Sequence, residues 1–158
     1  MKTAVVFYSL DGNSAFTARH ISSLLKSDPV QIQTVDTKKR RGFFKMLWGV
    51  GQVMRKKLPA LKPVDFDAAS YDLIILGTPV WAGRPAPAMK AFLSQTKISG
   101  KKLALFVCHA GKPGKAIELL KDMLKDNNFV SEKDFDAPIK NAEATIQQIE
   151  EWVKTLTQ

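Results

Sequence analysis

Thr3-Ala4-Val5-Val6-Phe7-Tyr8-Ser9-Leu10-Asp11-Gly12-Asn13-Ser14 is the stretch on which the fold turns. Its first half is β-branched, apolar and aromatic, the composition of a strand buried on both faces rather than one. Its second half is small and polar, and it runs directly into residues whose apolar side chains, Ala18, Ile21 and Leu25, share one helical face. A buried strand that passes through a short polar loop into an amphipathic helix is the opening half of a βαβ unit.

The pattern repeats outward from there. Asp72-Leu73-Ile74-Ile75-Leu76 and Leu103-Ala104-Leu105-Phe106-Val107 read as two more central strands. Val30 to Val35 alternates Val30, Ile32 and a second valine with Gln31, Gln33 and Thr34, which predicts an outer strand, and Phe129 to Phe135 predicts one at the other edge. Ile117, Leu120 and Leu124 share a helical face, as do Ile146, Ile149, Val153 and Leu156. A helix through Met89 and Phe92 is expected to begin near Pro85, since proline suits a first helical turn. The alternation predicts an α/β fold with a doubly wound parallel sheet and right-handed crossovers.

The chain has 158 residues and 45% hydrophobic composition, which suits one domain over 1–158. The apolar run at the start is too short to span a bilayer and lacks a signal-peptide cleavage pattern, so the expected compartment is the cytoplasm. Cys108 is the sole cysteine and His20 and His109 the only histidines, too few nitrogen and sulfur ligands for structural zinc. Residues 38–57 carry eight basic side chains and no acid; the rest of the chain holds 16 basic against 15 acidic residues, so the net charge of +9 is one local feature. That argues against a general nucleic-acid binder. The segment 37–63 reads as a basic helical insertion after the second strand: Phe43, Met46, Leu47, Val50 and Met54 form one stripe, with Arg41, Lys45, Arg55 and Lys56 opposite. It is expected to pack on its own domain or to touch a partner or a membrane surface weakly through 38–57.

In such a sheet ligands bind outside the carboxyl ends of the strands. Three loops leave those ends. Ser9 to Ser14 offers hydroxyls, a glycine and a helix N-terminus that favours anions; it also reads as an ordinary capped turn, with Asn13 or Ser14 as cap. It lacks both the GxGxxG spacing and a P-loop ending. Gly77 to Pro85 places Trp81 among small and rigid residues, where it serves either to stack a flat ring or to pack the core. Cys108 to Gly114 supplies backbone N–H groups without bulky side chains. Cys108 and His109 invite a nucleophile reading, but no carboxylate is visible in the sequence to orient the histidine. His20 falls opposite its helix's apolar stripe and is expected to be exposed.

These same residues resemble the flavodoxin family, over nearly the whole chain. Ser9 to Ser14 is similar to the family's FMN-phosphate loop, with Gly12-Asn13-Ser14 for the usual Gly-Asn-Thr ending. Gly77 to Pro87 (GTPVWAGRPAP) resembles a branch in which this loop lies against the isoalloxazine ring, and Cys108 to Gly114 the loop over its other edge. Ala137-Pro138-Ile139-Lys140-Asn141 is similar to the same branch. The resemblance implies FMN, redox chemistry and a five-stranded sheet in order 2-1-3-4-5. It implies that Ser9, Asp11, Gly12, Asn13 and Ser14 surround the phosphate. Thr78, Pro79, Val80, Trp81, Ala82 and Gly83 would line one side of the flavin, and Cys108, His109, Ala110, Gly111 and Gly114 the other. Three features depart from the pattern: Asp11 replaces a common hydroxyl, Arg84 and Lys112 flank the ring where acids are usual, and the third loop lacks an aromatic residue.

The resulting expectation is electron transfer through non-covalently bound FMN, with no dedicated catalytic residue, between a redox partner protein or a small-molecule acceptor and a donor. An NAD(P)H-dependent quinone or flavin reductase and a flavin-free basic binding module are the alternatives.

Overall fold

The computed structural model describes residues 1–35 and 58–157. The basic helical reading of 37–63 therefore falls largely outside the described residues, and the segments flanking them pair with each other. Val35 N–H donates to Ala60 O (2.9 Å) and Lys62 N–H to Gln33 O (2.8 Å), around an antiparallel bridge between Thr34 and Leu61.

The strands are β1 (Thr3–Tyr8), β2 (Asp28–Ile32), β3 (Leu73–Trp81), β4 (Arg84–Pro85), β5 (Lys102–His109) and β6 (Asn128–Asp136). The helices are α1 (Asn13–Leu25), α2 (Pro87–Gln95), α3 (Ala116–Met123) and α4 (Ala142–Leu156), with a 3₁₀ turn at Ala68–Ser70. The sheet is parallel in the order β2-β1-β3-β5-β6, and β4 pairs antiparallel with β3 off this path. The α/β parallel architecture is as expected, but the five-stranded order 2-1-3-4-5 is corrected to six strands. The added strand arises where a plain loop was expected. β3 runs on past Leu76 to Trp81 and turns back through Ala82 (φ 50) and Gly83 (φ 72) to Arg84, a two-residue hairpin with positive φ at both central positions.

Gly77 permits that extension, because a Cβ there would overlap the ring of Phe106. Pro79 is tolerated because β1 stops pairing with β3 at Gly77, so its missing N–H faces no ladder on that side. The hairpin also displaces the next helix: Pro85 lies in β4, and Pro87 takes the first-turn position of α2. β2 starts two residues before Val30 and stops at Ile32, since the chain beyond leaves β1 to pair with 60–62.

Alternate residues of the central strands bury to opposite faces. Val6, Ile74, Leu76, Leu105 and Val107 pack against Met89 and Phe92 of α2 and Leu120 of α3. Val5, Phe7, Ile75, Phe106 and Phe135 pack against Ala18 and Ile21 of α1 and Ile149 and Trp152 of α4. Both faces being covered explains why β1, β3 and β5 read as continuous apolar runs. Among the described residues no helix is long and apolar enough to cross a membrane.

Candidate functional site

The first loop is built around Gly12, whose φ of 100° closes the turn into α1. Gly12 N–H donates to Ser9 Oγ (3.2 Å) and Asn13 N–H to Asp11 Oδ1 (3.3 Å). The helical ladder begins with Phe16 N–H to Gly12 O (2.8 Å), so the N–H groups of Ser14 and Ala15 have no intrahelical partner and point out of the helix end. Neither Asn13 nor Ser14 caps the helix as the alternative reading expected. Asn13 Oδ1 instead accepts from Ile139 N–H (3.0 Å), tying this loop to the one before α4. Ser14 is fully buried, and its Oγ has no oxygen or nitrogen partner, only the influence it exerts on the Cys108 thiol. A cleft of about 630 Å³, lined by Ser9, Gly12, Arg19, His20, Gln31 and Ile139 among others, opens beside the loop. His20 is only half exposed: its Nδ1 lies 2.9 Å from Phe16 O and its ring leans on that of Phe16, a correction that helical spacing alone could not supply.

The second loop is the β3–β4 hairpin. Thr78 is buried; its hydroxyl accepts from Ala86 N–H (3.1 Å) and donates to Pro79 O (3.1 Å), so it braces the hairpin from inside. Pro79 is buried and Val80 half-buried beneath the tip. Trp81 is half-buried and stands edge-on to Tyr8, with ring centroids 5.9 Å apart. Ala82 is exposed at the tip. Burial, helped by the Asp11 carboxylate, pushes the Tyr8 phenol up to about 12.

The third loop starts at Cys108, whose thiol is buried and contacts Thr17 Oγ1 at 3.6 Å. Burial pushes that thiol up to about 11 against the opposing effect of the Thr17 and Ser14 hydroxyls, which makes it a poor nucleophile. His109 points to the other face and does have carboxylates: Nε2 lies 2.9 Å from Asp134 Oδ2 and Nδ1 3.4 Å from Asp136 Oδ1. Asp136 Oδ1 also accepts from Gly111 N–H (2.9 Å), and Ala137 N–H donates to His109 O (2.7 Å). The expectation of no orienting carboxylate is thus corrected. The parallel register of β5 and β6 sets His109 beside Asp136, a pairing between residues far apart in sequence. Ala110 and Gly111 are exposed, the latter at φ 109°.

Hairpin and third loop touch through glycine. Gly114 (φ 57°) presses its backbone against that of Gly83, and Lys115 N–H donates to Gly83 O at 2.8 Å. Tyr8 to Trp81, Cys108 to Thr17 and Gly83 to Gly114 therefore join all three expected loops at one edge of the sheet. Ile139, Asp134 and Asp136 belong to this edge and were not singled out as site residues; they are supplied by β6 and by the loop that follows it.

A five-position parallel sheet with helices on both faces and three loops gathered at its carboxyl edge is the architecture of flavodoxin-like proteins. Solved structures of that class match the chain over nearly its whole length. They include a flavoprotein of Lactobacillus acidophilus in complex with FMN, at 26% identity, 89% of this chain, 97% of that chain and a TM-score of 0.73. The two-electron reduced flavodoxin of Megasphaera elsdenii matches at 18% identity, 97% and 99% coverage and a TM-score of 0.63. Oxidised flavodoxin 1 of Bacillus cereus matches at 20% identity, 98% of each chain and a TM-score of 0.56. No family model and no curated protein matches the sequence.

Proposed function

We propose that this chain holds FMN non-covalently at the carboxyl edge of its sheet and passes electrons through it. The observation that carries the reading is the first loop. There a buried serine hydroxyl, engaged by nothing stronger than the weak Cys108 thiol, and two outward N–H groups meet at a helix N-terminus, beneath a glycine in the left-handed region. That donor set fits a phosphate monoester. Asp11 does not spoil it, because its carboxylate is turned onto Asn13 N–H. When bound, FMN supplies one- and two-electron chemistry, while the protein positions the ring and tunes its surroundings.

In this reading Ser9, Gly12, Asn13 and Ser14 hold the phosphate. Trp81, Ala82 and Gly83 bound one side of the ring, and the backbones of Ala110, Gly111 and Gly114 bound the other. Thr78, Pro79, Val80, Cys108 and His109 shape the floor. Residues 1–158 act as one domain, working in the reducing setting of the cytoplasm that suits a single free thiol.

The visible spectrum of the purified protein before and after FMN addition tests the reading. Flavin absorbance that shifts on binding is expected, with riboflavin bound at least about tenfold more weakly because it lacks the charge-assisted phosphate bonds. Gly12→Val should abolish the difference, since its side chain would crowd Ile139 and strain a φ of 100°. Equal affinity for the two flavins would remove the phosphate argument. The reductase alternative is favoured by one observation, the His109–Asp134 pair, because a carboxylate-oriented imidazole is a group that can pass a proton. NAD(P)H oxidation by the FMN-loaded protein with a quinone present decides between enzyme and carrier.

A further inference from the structure

His109 is buried at the carboxyl end of β5, its side chain 5% exposed, while the two carboxylates that reach it, Asp134 and Asp136, are 50% and 58% exposed. Nε2 lies 2.9 Å from Asp134 Oδ2, and Nδ1 3.4 Å from Asp136 Oδ1. The second carboxylate is shared, because the same Asp136 Oδ1 accepts Gly111 N–H at 2.9 Å. One oxygen atom thus ties the imidazole to an exposed residue of the third loop. The backbone adds a second tie, from Ala137 N–H to His109 O at 2.7 Å. β3, paired on the other side of β5, has no charged side chain. The remaining charged groups of the neighbouring hairpin, loop and helix are Arg84, Lys112, Lys115, Glu118 and Lys121, the last held by Glu132 at 2.7 Å.

We propose that His109 is the positioning residue of the third loop, a proton-operated clamp between β5 and β6 that sets how firmly the flavin is held. The inference rests on the FMN reading above and adds a proton to it. An imidazolium donates from both nitrogens and so pairs with Asp134 and Asp136 together. A neutral imidazole donates from one nitrogen and turns a lone pair toward the other carboxylate. With the proton on, Asp136 is pinned where it receives Gly111 N–H; with it off, one of the two carboxylates loses its hold on the ring. A loop ordered in advance loses less freedom when the flavin settles against it, so the protonated clamp binds FMN more tightly. Linkage is reciprocal: bound FMN must tighten the hold of His109 on its proton by the same factor.

The test follows the full chain by NMR and calorimetry from about pH 5 to 8, the range in which histidine changes charge. His20 and His109 are the only histidines, so each imidazole serves as the reference for the other. In the flavin-free protein the Gly111 amide resonance should move with the titration of His109 and not with that of His20, and Asp136→Asn should uncouple the two. FMN affinity should fall about fivefold or more across the range relative to His109→Gln. That variant keeps the titration of the FMN phosphate, at about pH 6, and removes only the imidazole's. On FMN binding the titration midpoint of His109 should rise by the matching factor, a readout that needs no variant to fold. A Gly111 amide indifferent to His109 in the flavin-free protein, coincident affinity profiles for parent and His109→Gln, or equal His109 midpoints with and without FMN would overturn the clamp and leave the FMN reading intact. A chain that takes up no FMN removes the reading, and the clamp's role with it.

Discussion

The two ends of β5 are built to opposite purposes. At its amino end Asn127 ties three segments together: its Oδ1 accepts from Lys101 N–H (3.0 Å) and its Nδ2 donates to Ile98 O (2.9 Å) and Leu124 O (3.0 Å). Lys101 Nζ continues the seal, reaching Ala69 O (3.2 Å) and Tyr71 O (3.0 Å). At its carboxyl end the chain enters a glycine-containing loop whose Ala110, Gly111 and Gly114 are exposed. Satisfied polar groups stabilise a corner, while donors left open at a strand's carboxyl end are what a ligand needs. One strand thus joins a sealed corner to an open one.

The strongest way to break that contrast is Gly114→Val. Its side chain would collide with the Gly83 backbone and force the two loops apart, so FMN affinity measured by calorimetric titration should fall about 100-fold or more in a protein whose circular dichroism is unchanged. An unaltered affinity would mean that these loops do not jointly bound the site. The reverse experiment is Asn127→Ala at the sealed end, expected to cost about 2 kcal/mol of stability in urea melts because three hydrogen bonds are lost at once. Its FMN affinity should stay put; a parallel loss would show that the two ends are coupled through the strand.

Smaller effects sharpen the picture. Burial raises the Cys108 thiol from 9.0 to about 11, so the folded state holds that proton more tightly than the unfolded chain. The associated stability is complete below pH 9 and disappears as pH rises toward 11, and Cys108→Ala should flatten that part of the stability profile. A profile identical to the parent's would show that the thiol does not titrate in this range. The smallest expected change is spectroscopic. Trp81→Phe should remove most of the tryptophan quenching that accompanies FMN binding, with Trp48 and Trp152 still present as references. Undiminished quenching would place Trp81 away from the flavin.

The local signals are the ones a sequence carries best. β1, β3 and β5 were legible because strands buried on both faces must be apolar throughout, and α1, α3 and α4 because their buried residues recur at helical spacing. The three loops could be assigned to one edge because parallel crossovers leave no other place for them. Glycines at 12, 77 and 83 marked positions where backbone comes close, though not what it comes close to.

Sequence by itself determined the α/β class, the central strands and the small, glycine-bearing character of the loops, since each follows from neighbours along the chain. Tertiary structure alone decided that Gly83 meets Gly114, that Asn13 holds Ile139, that His109 lies between Asp134 and Asp136, and that β3 overruns its apolar core into a hairpin. Those contacts join residues up to 126 positions apart. Strand register, which no local pattern encodes, is what brings such partners within reach.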